Sequence, residues 1–309
     1  MDRHSSFRSP ALGAAAAARA DVGEVVVVKD EPGRPHRGKV FAAIHAHLDD
    51  IPYYASGLCA KLMSEGYTGY LVRTTNDEKY GGRTIAQNIL SNEQEHMKMA
   101  AALGFQDTID LYYRAHRMNE ISPTEIRGRL ILLLRMLKAD TVISFHPGGA
   151  GEEDGDHEAT GRAVEEACEM AASESDFEEH VEAGFGPQTV VEQYYFHTHQ
   201  DQPFNRVVDI GPHIEKKIDG MVECQSQGGG ALGAGLRARL AKEGKRLPLL
   251  GSDDRTANRE YVRQFLLDEH REYGRRHNLQ YAERFFYVDR RPPAKTKVDE
   301  YVDKNAVGM

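Results

Sequence analysis

The chain has 309 residues and a net charge of −9 at pH 7, with 40% hydrophobic and 28% charged residues, ordinary values for a soluble globular protein. That acidic balance argues against a general nucleic-acid binder, which needs a basic face. No apolar run approaches the ~20 residues of a membrane span, and three scattered cysteines, Cys59, Cys168 and Cys224, suggest free thiols rather than a disulfide framework.

Residues 1–37 read as an N-terminal tail. Arg3 to Ala20 is basic, then Ala-rich, and loosely has the form of a degenerate export signal, the plainer reading being a disordered tail. Without an export step the protein is expected in the cytoplasm. Val40–Ile44 is a short, partly β-branched run after Gly and Pro, so a buried strand is expected. It feeds into His47, Asp49 and Asp50. Polar residues at the carboxyl end of such a strand lie where open α/β sheets bind ligands. A His with two carboxylates suits a metal site with a spare base.

Further along, Pro52–Gly66 reads as a helix and Tyr67–Thr74 as a strand. Asn76, Asp77, Gly81 and Gly82 form a polar loop before a long helix, Thr84–Leu103. Thr108–Tyr113 is a strand, and Ser122-Pro123-Thr124-Glu125 has the form of a capped helix start running to Lys138. Asp140–Phe145 is a strand, followed by the glycine-rich loop His146–Asp156 and a helix His157–Ala172. Gln188–Phe196 and Asn205–Ile210 supply later strands, and Pro212–Gln225 a helix. Gly228–Gly235 reads as a flexible linker, Glu260–Arg276 as one charged helix, and 291–309 as a polar tail. The alternation predicts an α/β fold: a Rossmann-like three-layer sandwich, a mostly parallel sheet with helices on both faces, over residues 38–290. The dinucleotide fingerprint is missing after the first strand.

His47-Leu48-Asp49-Asp50 resembles the A-H-P-D-D motif of the PIG-L/LmbE-like zinc-dependent N-deacetylases, and Gly155-Asp156-His157 followed by a helix resembles their second signature, P-D-H. The resemblance extends more weakly from Gly38 to Gln227. It implies that His47, Asp50 and His157 hold Zn2+, with Fe2+ as an alternative ion, and that Asp49 is the general base. The family's loop His is replaced here by Asp154, so the proton donor is sought at His146, His197 or His199. The sequence His197-Thr198-His199 would put both imidazoles on one face if the strand continued. Leu48 and Ile51 also depart from the family pattern, and Asn92 stands where an Arg is frequent, leaving Arg73, Arg83 or Arg114 to meet an anion or hydroxyl.

The implied activity is removal of an acetyl group from an N-acetyl amino sugar or glycoconjugate. The substrate is a small glycan held by Asn76, Asp77, Arg83 and Tyr53, with a homo-oligomer left open. Two other readings stand beside it. A non-catalytic metal- or carbohydrate-binding relative would have no use for a spare Asp49. A non-haem iron oxygenase shares the two-His-one-carboxylate set but usually comes on a β-barrel with H-x-D spacing.

Overall fold

The computed structural model describes residues 24–149, 152, 154–291 and 296–307. The segment read as an export signal therefore lies outside the described residues. In chain order the strands are β1 (Val26–Val28), β2 (Val40–His45), β3 (Thr68–Thr75), β4 (Asp107–Tyr113), β5 (Thr141–Phe145), β6 (Glu192–Phe196), β7 (Arg206–Asp209) and β8 (Ala282–Asp289). The helices are α1 (Asp50–Tyr54), α2 (Ser56–Ser64), α3 (Ile85–Leu103), α4 (Pro123–Leu137), α5 (Gly155–Met170), α6 (Glu178–Glu182), α7 (Ile214–Glu223), α8 (Leu232–Lys242), α9 (Asp254–Tyr261), α10 (Asp268–Arg276) and α11 (Lys297–Asn305).

The strands form one sheet in the order β1-β7-β8-β6-β5-β2-β3-β4. Every pairing is parallel except the two made by β8, which runs antiparallel between β6 and β7. The chain builds outward from β2 through β3 to β4, then returns to lay β5 on the other side of β2. The sheet order reverses there. Outside the strand ends at such a reversal is the crevice where doubly wound sheets bind ligands.

Both faces of the sheet are covered, which explains why β2 and β5 are almost wholly buried and lack polar alternation. Phe41, Leu58, Met99, Leu103 and Ile218 belong to the core between the sheet and α2, α3 and α7. Val142, Leu130, Leu134 and Val164 fill the opposite face beneath α4 and α5. Helix α5 lies tight on β5 at Gly161, where a Cβ would meet the Phe145 carbonyl oxygen at 3.1 Å. The three-layer α/β expectation is met.

Several local expectations are corrected. The sheet begins earlier than residue 38: β1, within the stretch read as a tail, pairs with β7. The helix expected over Pro52–Gly66 breaks at Ala55 (φ −141°) into α1 and α2. Ser122 precedes α4 but its side chain makes no cap hydrogen bond, whereas Thr84 forms a full capping box with Gln87 at the start of α3. The glycine-rich linker is a turn leading into α8, because Gly233 can pack its backbone against Ala257 where no side chain would fit. The single charged helix is α9 and α10 joined by a π-helical turn, Val262–Leu266. The polar tail contains the exposed helix α11.

Candidate metal centre

Strand β2 ends at His45, and the chain turns sharply through His47 into α1. Asp50 closes that turn: its Oδ2 accepts the Ala46 and His47 amides at 3.0 and 2.6 Å. Its other oxygen, Oδ1, lies 3.3 Å from His157 Nε2. His157 sits in the first turn of α5, stacked on Phe145 with ring centroids 4.3 Å apart. His47 Nδ1 is 3.1 Å from His157 Nε2. Two imidazoles and a carboxylate from the ends of adjacent parallel strands thus present donor atoms all within 4.8 Å of one another.

This donor set fits a divalent ion. Two nitrogens and one oxygen leave room for a fourth ligand, the pattern of a catalytic zinc site. The surroundings also favour positive charge. Burial alone would lower the His47 pKa, but the Asp156 hydrogen bond and the charges of Asp50 and Asp77 raise it to about 9. His157 is likewise raised to about 11 against its burial, by Asp50 and Glu152. Burial opposes ionisation of Asp50 too, yet the two imidazoles bring its carboxyl down to about 2.

Each donor is held from behind, as metal ligands usually are. Asp156 Oδ2 lies 3.2 Å from His47 Nε2, and the same carboxylate accepts the backbone amides of His116 and, at 3.0 Å, Met118. Glu152 Oε2 lies 3.2 Å from His157 Nδ1. Beneath the turn, Asp77 Oδ2 accepts the Leu48 amide at 2.7 Å and the Gln227 side chain at 3.0 Å. Arg73, with no solvent exposure, spans from Asp77 (3.3 Å) to Asp110 (2.6 Å). Its buried charge is therefore paired on both sides, as it must be.

Asp49 stands at the rim beside Asp50. Burial, with help from the charges of Asp50 and Asp77, raises its carboxyl to about 7. A carboxylate near that value is matched to taking a proton at neutral pH. A cavity of about 520 Å³ opens onto His47, Asp49, Asp50 and His157 and is walled by Tyr53, Tyr54, Tyr80, Asp154, Gln227, Gly228 and Leu266.

The structure brings His47, Asp49, Asp50, His157 and Tyr53 together. Other candidates fall elsewhere. Asn76 folds its side chain onto Glu78 and the Ala115 amide. Asp77 lies behind the turn, fully buried. Arg83 reaches Ser91 on the surface, and Arg114 is clamped to Glu78. Asn92 ties the Asp77 and Tyr80 carbonyls instead of facing substrate.

The expected proton donors are also displaced. Strand β6 stops at Phe196, so the period-two alternation ends before the histidines. His197 is buried with Nε2 on the Pro203 carbonyl at 2.6 Å. His199 has a side chain 44% exposed and pairs with Asp201 at 3.7 Å. His146 packs against His197 and Phe286, with Nδ1 accepting the Gly148 amide at 3.0 Å. Three residues went unnoticed in the sequence: Glu152, Leu266 and His116, whose ring lies 5.8 Å from that of His47. The signal for His116 was its place just past a parallel strand, at the same sheet edge as the other histidines.

A doubly wound sheet thus gathers two imidazoles and two carboxylates at its order reversal, in a cluster that could hold a divalent cation. Residues 42–168 match the family model described as PIG-L: GlcNAc-PI de-N-acetylase. No curated protein sequence matches it. Among solved structures it is similar to N,N′-diacetylchitobiose deacetylase from Pyrococcus horikoshii, at 21% identity over 81% of this chain and 84% of that one, with a TM-score of 0.64. It is also similar to GalB, the 4-carboxy-2-hydroxymuconate hydratase of Pseudomonas putida KT2440, at 18% identity over 84% and 99% with a TM-score of 0.59. A zinc-inhibited form of teicoplanin deacetylase Orf2 matches at 14% identity over 83% and 100%, TM-score 0.51. At these identities the structural likenesses establish the fold.

Proposed function

We propose that this chain is a metal-dependent hydrolase that removes the acetyl group from an N-acetyl amino sugar or glycoconjugate, with residues 38–290 and the added strand β1 as its catalytic unit. The observation that carries the reading is Asp49: a carboxyl raised to about 7 beside the three-donor cluster, in the same cavity. A site that only bound metal would need no such base.

Zinc held by His47, Asp50 and His157 would polarise the acetyl carbonyl and lower the pKa of a water molecule. Iron(II) suits the same donors. Asp49 takes the proton that the attacking water gives up. Asp156 and Glu152 keep the two imidazoles oriented. Tyr53 and Tyr54, edge to face at 4.9 Å, with Leu266, offer an apolar wall for a sugar ring. The matched family is described as a de-N-acetylase and two of the similar structures are titled deacetylases, which favours this reaction over the hydration named for the third. No described helix is long and apolar enough to cross a membrane.

The test is acetate release from a panel of N-acetylated sugars by the zinc-loaded protein, the chelated protein and Asp49→Asn. Acetate from at least one sugar, abolished by chelation, restored by zinc and reduced about 10²–10⁴-fold in Asp49→Asn, is the expected result. Zinc-loaded wild type that releases acetate from none, or Asp49→Asn with near-native turnover, would overturn it.

A further inference from the structure

An amide nitrogen leaves only after it acquires a proton, so a hydrolase that uses Asp49 to receive the water's proton needs a second group to deliver one. The groups around the cavity divide readily. His47 and His157 are committed to the donor cluster. Asp154 caps α5, accepting the Asp156 amide at 2.9 Å. The phenols of Tyr53, Tyr54 and Tyr80 are all made weaker acids, chiefly by burial.

His116 is left. It follows β4, and its ring centroid lies 5.8 Å from that of His47 and 5.8 Å from that of Tyr80, both of which line the cavity. One donor atom each from His47, His116 and Asp154 lie within 4.8 Å of one another. A second cavity of about 320 Å³ is lined by His116, Asn119, Asp154 and Gly155, and Asp154 lines the main cavity as well. The two spaces share Asp154 as a wall. Among the described residues the imidazole has ring neighbours but no hydrogen-bond partner, so its nitrogens are available.

The backbone fixes this placement. His116 has φ +61°, uncommon for a residue with a side chain and more frequent where function demands it. Its amide and that of Met118 wrap the Asp156 carboxylate, whose Oδ2 also holds His47. One carboxylate thereby sets both the ligand imidazole and the free one.

We propose that His116 is a catalytic residue of the hydrolysis, delivering the proton taken up by the departing nitrogen as the acetyl C–N bond breaks. This rests on the deacetylase reading above. Water adds hydroxide to the acetyl carbon and its proton to Asp49. The C–N bond then breaks, its electron pair stays on nitrogen, and nitrogen takes the proton from His116. Asp49 returns its proton by way of solvent, and the products are the free amine and acetate.

The test uses the zinc-loaded full chain and His116→Asn, a side chain that tolerates the left-handed backbone but cannot transfer a proton. Steady-state kinetics are measured with N,N′-diacetylchitobiose and with 4-nitrophenyl acetate, whose leaving group departs without protonation, and zinc content is measured in parallel. The proposal expects kcat on the amide to fall about 10²-fold or more. KM and the ester reaction should stay within about threefold, with zinc retained. Amide turnover within about threefold of wild type, an equal loss on both substrates, or loss of zinc would overturn it. Wild type that releases acetate from no N-acetylated sugar of the panel would instead sink the deacetylase reading, and this role with it, before any variant is compared.

Discussion

Gly228 is pressed against Asp49: a Cβ on that glycine would lie 2.5 Å from the Asp49 Cβ. Its φ of +67° adds a second reason for glycine. The stretch that looks like a flexible linker is thus a wall against Asp49. Gly228→Ala should lose about 1–3 kcal/mol of stability from strain and also lower turnover by displacing Asp49. Thermal unfolding and acetate release, run on the same preparation, check both. A variant with native turnover would mean that Gly228 does not position Asp49.

A buried ion pair supports the floor of the site. Lys217 Nζ lies 2.8 Å from Glu283 Oε1, and both side chains are fully buried. Lys217 also donates to the Pro52 carbonyl at 3.0 Å and to that of Tyr53. Glu283 accepts the Gly57 and Leu58 amides at 2.9 and 2.8 Å, at the start of α2. Removing one partner leaves the other charge uncompensated. Lys217→Met should therefore cost about 3–5 kcal/mol by denaturant unfolding. A loss under ~1 kcal/mol would mean the pair is not balanced as described.

Metal binding should release protons. The carboxylates around His47 and His157 raise both imidazoles against their burial, so the metal-free pair holds an extra proton at pH 7 that an ion must displace. Zinc affinity should rise with pH from 7 to 9, with ~1 proton or more released per ion. Calorimetric titration in buffers of different ionisation enthalpy measures this. Binding without proton release would contradict the electrostatic account of the cluster.

His197 should make the fold acid-sensitive. Burial first, then the charge of Arg284, lowers its pKa to about 3, whereas an unfolded chain protonates near 6.5. Between those values the unfolded chain binds the extra proton, so stability falls as pH drops through that window and is unaffected above it. The slope from this group is on the order of 1 kcal/mol per pH unit. Wild type should lose stability against His197→Phe on acidification from pH 6.5 to 4.5 and stay parallel to it above pH 7.5. Parallel curves throughout would refute the buried neutral state.

The part of the fold that carries the three-donor cluster is legible in sequence because its physics is local. Val40–Ile44 is apolar, short and followed at once by polar residues, and β5 repeats the pattern before His157. What escapes reading depends on distant partners. Strand β8 carries Glu283 and Arg284, charges that look unsuited to a sheet interior until Lys217 and Glu269 are placed opposite them. Helix α8 hides behind glycines that a close neighbour requires. His116 is a lone histidine in sequence and joins the site only when β4 is set beside β3. The His197–His199 pair misleads because the end of β6 is decided by its neighbours β5 and β8.

The central claim is that His47, Asp50 and His157 together hold one catalytic metal ion. Elemental analysis of wild type and His157→Ala, with acetate release assayed on the same samples, tests it most directly. The account predicts about one zinc or iron per wild-type chain, little in the variant, and acetate only where metal is bound. Wild type without metal after incubation with zinc and iron, or a variant that keeps both its metal and its turnover, would contradict it.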